Sequence, residues 1–440
     1  MKYRTACILS AATLLCMPQT VLAEKVVKTN SGLTEFVGKL KHLIVSHNDI
    51  IAAQYDSKRL YYNLKTISKN RYPNISIKSS VGREDQIKPA ARNVLLDPRD
   101  LNLTLTMPVF DKSLYHTIDQ IKLSVNQGKQ VQKATIDRVL LEGISAQINL
   151  STSIQVLKFA DKSVANIRKQ TELENARVVK GSGLTSDLLQ AKAQLAGAES
   201  RKTQAQIGLQ LAKNRYIAVF KSSTLDNAVP LTIIPFPTIS MPMDVESAVK
   251  IAISENPQLL AQETSLKIEE KSVDVARANN TFPKLNLILE TKYKEDFGGT
   301  VGFARDSIAK LELTYNFNTA GGGFDAFRVA NNARSAALKR LEQSRISITE
   351  IVRNTWSQFE LAKKNAVFLT NQKTIAQEFL RLARKEQSLG ARSLLDVLAG
   401  ETAYINSATD SFAAQALVLA AAYTLLATIG RLDINVLEAN

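Results

Sequence analysis

The side chains best placed to do chemistry sit in two short words, Gly183-Leu184-Thr185-Ser186-Asp187-Leu188-Leu189-Gln190-Ala191 and Gly390-Ala391-Arg392-Ser393-Leu394-Leu395-Asp396-Val397-Leu398. Each carries an aspartate shortly after a glycine, and the second adds an arginine. Ser393-x-x-Asp396 has the spacing of a capping box, worth about 0.5–2 kcal/mol of helix stability. Asp187 falls in a first helical turn, where a negative charge complements the helix dipole. The other titratable residues offer no catalytic constellation. His42, His47 and His116 lack metal-ligand spacing, and neither H-E-x-x-H nor G-x-S-x-G occurs. No enzyme activity, metal or cofactor is expected. Gly321-Gly322-Gly323 could cradle an anion at a helix start, but it reads first as a tight strand-to-helix corner.

The elements that position these words come in two rounds. Ser46-His47-Asn48-Asp49-Ile50-Ile51-Ala52-Ala53-Gln54 is answered about 208 residues later by Ser254-Glu255-Asn256-Pro257-Gln258-Leu259-Leu260-Ala261-Gln262. Arg71-Tyr72-Pro73 answers Thr281-Phe282-Pro283, and Gly183 answers Gly390. A repeat this long exceeds the roughly 20–50 residues of a solenoid unit, so it reads as a duplicated half-protein. The division expected is a leader over 1–23, a first repeat over 24–227, a linker over 228–243 and a second repeat over 244–440.

Each repeat opens with a helical segment, Leu33–Asn70 or Val245–Asn280, ending before Pro73 or Pro283. Proline disfavours helix in the residue before it, so these prolines mark helix-to-strand transitions. Period-two alternation follows at Ile75, Ile77, Ser79 and Val81, then Leu101, Leu103, Leu105, Met107 and Val109. The second repeat has Leu285, Leu287 and Leu289, then Leu311, Leu313, Tyr315 and Phe317. Polar residues alternate with them, as in a half-buried strand or a membrane barrel strand. Gly82–Asp100 and Glu295–Asp306 read as exposed hairpin loops. Helices over Lys112–Lys180 and Phe324–Leu389 come next; nearly 70 residues make a rod of roughly 100 Å. Turns at Gly181-Ser182-Gly183 and Leu389-Gly390 lead into return helices over Thr185–Phe220 and Ser393–Gly430.

The chain starts with Lys2 and Arg4, an apolar stretch and a small-residue site at Ala23, the pattern of a cleaved secretory leader. Both cysteines, Cys7 and Cys16, lie inside it, and Cys16 follows leucines where a lipidation site would have a small residue. Removing 1–23 takes two basic residues and no acid from the 56 and 41 present, leaving 54 and 41, a net +13. The basic residues are scattered, without the clustering of a nucleic-acid binder, and no nucleic-acid partner is expected. No later segment has 18 uninterrupted apolar residues, so a membrane crossing would have to use strands.

Four amphipathic strands cannot close a barrel, which takes about eight or more, and an open sheet in lipid leaves unpaired edges. Subunits must therefore share one. Three chains would supply twelve strands, continued by their long helices as a hollow cylinder. On the duplication, the Tyr72-Pro73 and Phe282-Pro283 transitions, the strand Leu103–Phe110 and the two glycine words, the chain resembles the TolC family of outer membrane channel proteins over essentially its whole mature length. The fold expected is mixed α and β, mainly α: a homotrimeric twelve-stranded barrel in the Gram-negative outer membrane, continuous with a long helical barrel in the periplasm.

The resemblance implies a passive conduit gated at its periplasmic tip. It implies as partners outer membrane lipid, a periplasmic adaptor protein, and an inner-membrane ABC exporter or efflux transporter. Type I protein secretion is the first expectation, since the lipoprotein signature common among drug-efflux members is absent. Multidrug efflux is the alternative, and a coiled-coil adhesin or stalk is a distant third. By motif match, Asp187, Ser186, Arg392 and Asp396 fall on the gate, and Gly181, Gly183 and Gly390 on helix-tip turns that dock the adaptor. Threefold symmetry would turn Asp396 into a ring of three carboxylates that attracts cations. The chain departs from the family pattern at Gln387, where a gating tyrosine is expected, and at Ala399, where a second aspartate is. Tyr72, Phe110, Phe282, Tyr293 and Phe317, near strand ends, suit either an interfacial aromatic girdle or junction packing.

Overall fold

The computed structural model describes residues 20–86, 94–221, 234–237, 241–297, 301–316 and 320–434. The expected leader lies outside these up to residue 19, as do most of the expected linker and Phe317. Helices α1 (Thr20–Ser46) and α2 (Asn48–Lys69) precede strands β1 (Asn74–Val81), β2 (Glu84–Gln86), β3 (Val94–Leu96) and β4 (Arg99–Phe110). Helices α3 (Lys112–Val179), α4 (Thr185–Phe220), α5 (Val245–Glu255) and α6 (Pro257–Thr281) follow. Strands β5 (Lys284–Glu295) and β6 (Phe303–Thr314) then lead into α7 (Gly322–Ser388) and α8 (Leu394–Ile429).

Four strands form one antiparallel sheet in the order β1-β4-β5-β6. Its register merges four separate alternations into two faces. Ile75 pairs with Leu105 and Ile77 with Leu103; Leu105 pairs with Leu289 and Met107 with Leu287; Leu287 pairs with Leu311. Directly opposed residues share a face, so these make one apolar band. The other face carries Asn102, Thr104, Glu290, Lys292, Lys310 and Glu312, tied by Asn102 Nδ2 donating to Glu290 Oε1 at 3.0 Å and Lys292 Nζ lying 3.0 Å from the same oxygen. The chain itself covers neither face of the strand edges: Ile75, Ile77, Leu311 and Leu313 are each about two-thirds exposed.

Both hairpins extend further than their composition suggests. The first contains the paired strands β2 and β3 inside the expected loop. In the second, β6 begins at Phe303, within the expected loop, because its charges have cross-strand partners. Lys294 Nζ lies 3.1 Å from Asp306 Oδ2, and the Arg305 guanidinium lies over the Tyr293 ring.

The helices repeat the sheet's order. Near the sheet α2, α3, α6 and α7 pack side by side; away from it the order is α4, α3, α8, α7. The two orders meet at an equatorial core of Phe36, Leu40, Leu43, Ile144, Tyr216, Leu259, Val352, Tyr423 and Leu426. Among the described residues α8 is the one helix long and apolar enough to cross a membrane; its C-terminal half is instead packed into this core, with Tyr423 donating to the Pro235 carbonyl at 2.7 Å.

Each expected opening helix is in fact two. The break comes at His47, whose Nδ1 accepts from the Asp49 amide at 3.2 Å, and at Asn256, whose Oδ1 accepts from the Gln258 and Leu259 amides at 2.9 and 3.0 Å. Pro257 then occupies the first helical position, where its missing N–H costs nothing. The capping residues are thus His47 and Asn256, one residue out of step with the alignment of the two words. Asn256 Nδ2 also donates to the Thr428 carbonyl at 2.8 Å, and Arg431 forms a two-pronged pair with Glu255 at 2.6 and 2.8 Å. Gly430 ends α8 with φ 82°, and any Cβ there would lie 2.5 Å from the Glu255 carbonyl oxygen.

One charge is poorly housed in this region. Asp137 on α3 is 7% exposed, and its Oδ2 has no hydrogen-bond partner. Burial pushes its carboxyl up to about 6, with Lys133 opposing the shift and Asp433 adding to it. The folded chain therefore holds this proton where the unfolded chain, near 3.8, has released it. The associated stability is full below about pH 4, declines as the pH rises towards 6 and is absent above that, a swing of about 2–3 kcal/mol. Asp137→Asn is expected to raise the thermal unfolding midpoint at pH 7.5 and to flatten its dependence between pH 4 and 6. An unchanged midpoint at pH 7.5 would contradict this account of Asp137.

Candidate functional site

The glycine words form the turns at the far ends of α3 and α7. Gly181 takes φ 74° and Gly390 φ 75°, the left-handed conformation that ends a helix and favours glycine. Beyond each, the next amide reaches back along the helix: Ser182 N–H to the Arg177 carbonyl at 2.9 Å, and Ala391 N–H to the Glu386 carbonyl at 3.0 Å. Gly181, not Gly183, is therefore the structural counterpart of Gly390. This register places Asp187 opposite Asp396 and Gly183 opposite Arg392, the same spacing that relates His47 to Asn256 at the helix breaks.

The second halves of the turns differ. Ser393 caps α8, its Oγ accepting from the Asp396 amide at 3.2 Å, whereas Leu184 at the start of α4 provides no side-chain cap. Behind both caps the apolar positions pack the tips. Ala191 joins Val164, Ile167, Leu394 and Leu398 in one cluster, and Val397 joins Leu380 and Ala383 in another.

The gate residues expected from the sequence do not form a single cluster in one chain. Asp187 is half-buried and accepts from Ser186 Oγ at 3.3 Å. Arg392 stays within its own hairpin: its Nε donates to Glu386 Oε2 at 2.7 Å, and its guanidinium lies 5.2 Å from the Phe379 ring centre. Asp396 is exposed, and Gln387 is half-buried at the end of α7, its carbonyl accepting from the Gly390 amide at 3.0 Å. Gly183 packs under the first turn, where a Cβ would lie 3.0 Å from Glu174 Oε1. Pro73 and Pro283 stand just before β1 and β5, with Phe282 capping the end of α6 and Lys112 Nζ 3.8 Å from its ring centre. Gly321 takes φ 81° at the corner into α7. Among the described residues no group of His, Cys, Asp and Glu is fit to hold a metal.

Three polar residues near the tips escaped the sequence reading. Glu401 on α8 is 3% exposed; its Oε1 accepts from Asn166 Nδ2 of α3 at 2.5 Å, and its Oε2 accepts from Arg384 Nη2 of α7. The available signal was periodicity: Leu394, Val397, Leu398, Glu401 and Ile405 share one helical face, and an acid there is an acid in a core position.

The outer membrane efflux protein family model matches residues 40–218 and 248–431. The chain is similar to the outer membrane efflux protein BepC of Brucella suis, 21% identical over 295 residues, which are 67% of this chain and 63% of that protein. The match thus spans less than two-thirds of the relative. Among solved structures it is similar to VceC of Vibrio cholerae (TM-score 0.76, 14% identity, 90% of this chain and 96% of that one). It is also similar to the open state of MtrE of Neisseria gonorrhoeae (0.76, 15%, 90% and 88%) and to a membrane protein of Pseudomonas aeruginosa (0.78, 15%, 91% and 92%). At these identities the structural likeness concerns the fold.

The tip caps are open to test without reference to transport. Ser393→Ala should cost about 1 kcal/mol of local stability, seen as roughly fivefold faster amide hydrogen exchange over 394–397. Unaltered exchange would mean that packing alone sets the start of α8.

Proposed function

The chain belongs to the outer membrane efflux protein family, and from that premise we propose that three copies assemble into a passive, gated conduit that crosses the outer membrane and extends into the periplasm. One observation carries this reading: sheet and helices are open at matching edges. The sheet ends in unpaired β1 and β6. The helical layers end in α2 and α7 near the sheet, and in α4 and α7 away from it. The outermost helices carry exposed side chains, with Tyr55, Tyr61 and Tyr62 on α2, Ile207 and Leu211 on α4, and Phe324, Phe368 and Ile375 on α7. Joining β6 and α7 of one copy to β1, α2 and α4 of the next covers both edges at once. Three such steps give twelve strands, within the range of bacterial barrels. The apolar band then faces lipid, and the face of Asn102, Glu290 and Lys310 lines the lumen.

In this reading the repeats over 24–227 and 244–440 provide near-equivalent walls, and the tips of α3/α4 and α7/α8 form the periplasmic mouth. Asp187, Ser186, Arg392, Asp396 and Gln387 line that mouth, and the turns at Gly181, Gly183 and Gly390 meet a periplasmic adaptor that links the conduit to an inner-membrane transporter. Energy comes from that transporter. Protein secretion through an ABC exporter is the first assignment, since Cys16 lacks a lipidation context. Efflux of small molecules is the second, supported by the name of the relative BepC.

The purified protein is expected to give discrete conductance steps in planar bilayers, with a preference for cations that Asp396→Asn lowers. Absence of any conductance would remove the conduit reading. Deleting the protein from its host is expected to abolish secretion of one or a few proteins; intact secretion with lost drug resistance would exchange the first assignment for the second.

A further inference from the structure

We propose that the groove between α4 and α8, floored by α3, binds a small zwitterion of the amino-acid or dipeptide class. Arg201 holds its carboxylate, Asp410 faces its ammonium group, and Ser163 donates a hydrogen bond to it from the floor. The site is complete within one chain and stands apart from the conduit reading. On the tip side of the equator α3 packs between α4 and α8, and the three helices line a cavity of about 580 Å³. That volume lies in the range of small-ligand sites. Small residues keep it open: a Cβ at Gly208, on the α4 wall, would meet nothing within 4 Å.

Two buried donors on this lining point to a ligand. Ser163 of α3 is 3% exposed, and its Oγ has no hydrogen-bond partner. It does not turn back to the carbonyl one turn earlier, as Thr171 does at 2.8 Å. Arg201 of α4 is half-buried, and its Nη2 is likewise buried without a partner. A donor left unpaired in this way forfeits its hydration, and a guanidinium forfeits most. The neighbouring carboxylates cannot serve Arg201, because they are already paired: Asp161 with Lys202 at 2.9 Å and Glu199 with Arg168 at 2.7 Å. Tied to no acceptor among the described residues, the Arg201 side chain is free to turn its planar fork onto a ligand carboxylate, the group that this fork matches best.

The opposite wall supplies the complementary charge. Asp410 of α8 lines the same cavity, is exposed, and forms no ion pair among the described residues. Arg201 and Asp410 are the two charged residues of the lining, so a ligand with one charge of each sign matches both. A simple anion would meet Arg201 but also the repulsion of Asp410. Lys202 meets Asp161 on one side of α3, while Phe412 and Glu401 meet Phe159 and Asn166 on the other. Arg201 and Asp410 therefore face each other across α3 within about one helical turn of height, which suits a compact zwitterion. Gln204 and Asn406 add amides to the lining, able both to donate to and to accept from a peptide group.

The test is calorimetric titration of the full-length protein, its assembly checked by size-exclusion chromatography, with alanyl-alanine and two capped forms, N-acetyl-alanyl-alanine and alanyl-alanine amide. The free dipeptide is expected to bind saturably, one per chain, with a Kd of about 1 mM or tighter, and each capped form at least about tenfold more weakly. Arg201→Gln should weaken the free dipeptide about tenfold and leave the amide form unchanged, since that form has no carboxylate to lose. Asp410→Asn should weaken the free dipeptide similarly and leave the N-acetyl form unchanged. Lys202→Ala, which breaks a complete pair outside the lining, should alter nothing. Absence of saturable binding, equal binding of free and capped dipeptide, or full affinity in Arg201→Gln overturns the site. Inorganic phosphate binding as tightly as the dipeptide overturns its zwitterionic class. If Arg201→Gln fails to assemble, Asp410→Asn carries the test, its side chain being exposed. A protein that binds the dipeptide but does not conduct overturns the conduit reading and leaves the site standing.

Discussion

A peptide N–H or C=O exposed to hydrocarbon has nothing to bond to, and each such group costs several kcal/mol. That requirement shapes the rest of this molecule. A four-stranded sheet has two edges, and here β1 and β6 are those edges. Within the sheet the demand is met even at an awkward residue. Pro108 lies in β4, an inner strand, where a missing donor would ordinarily break a ladder. Its pairing with β5 is irregular there, and β1 pairs no further along β4 than Thr106, so β4 has no partner strand on its β1 side at this residue.

Below the sheet, water is available and packing takes over as the organising force. Rods of about 100 Å cannot be held by one compact core, and the chain concentrates its large apolar side chains at the equator. That is where helices must change neighbours, from the sheet-side order to the tip-side order. Capped breaks at His47 and Asn256 allow the change while giving freed amides a side-chain acceptor, the Asp49 amide at the first and the Gln258 and Leu259 amides at the second. Gly430 lets the end of α8 lie directly on one of those breaks, and the Arg431–Glu255 pair secures it.

Much of this was legible in residue order. Two-residue alternation revealed four strands because one face of each is apolar and the other polar. The long helices were legible because proline is absent from them and glycine nearly so. The helix breaks were not, because apolar periodicity continues across His47 and histidine is a weak cap signal. The offset between repeats was misread at Gly183, since matching glycines by identity ignores which of them adopts the left-handed conformation. The charged start of β6 resembled a loop because cross-strand partners such as Lys294 and Asp306 are distant in sequence. At the tip, sequence identified the acids and the arginine but not their partners. Arg392 folds onto Glu386 across the turn, and Glu401 finds Asn166 on a helix more than 200 residues away.

The uncovered apolar band and the open edges also bear on how such a molecule is made. A single chain with Ile75, Ile77, Leu311 and Leu313 in water presents both a sticky surface and a template for pairing with any passing strand, the configuration that invites aggregation. If closure needs three copies, folding of the sheet is inseparable from meeting two siblings, and its yield depends on protomer concentration. The helical rods, whose hydrogen bonds are satisfied locally, depend on those siblings for covering their edges but not for their backbone bonds, and can form first. Biogenesis would then proceed from the water-soluble end towards the membrane end, with the barrel the last part to acquire its structure.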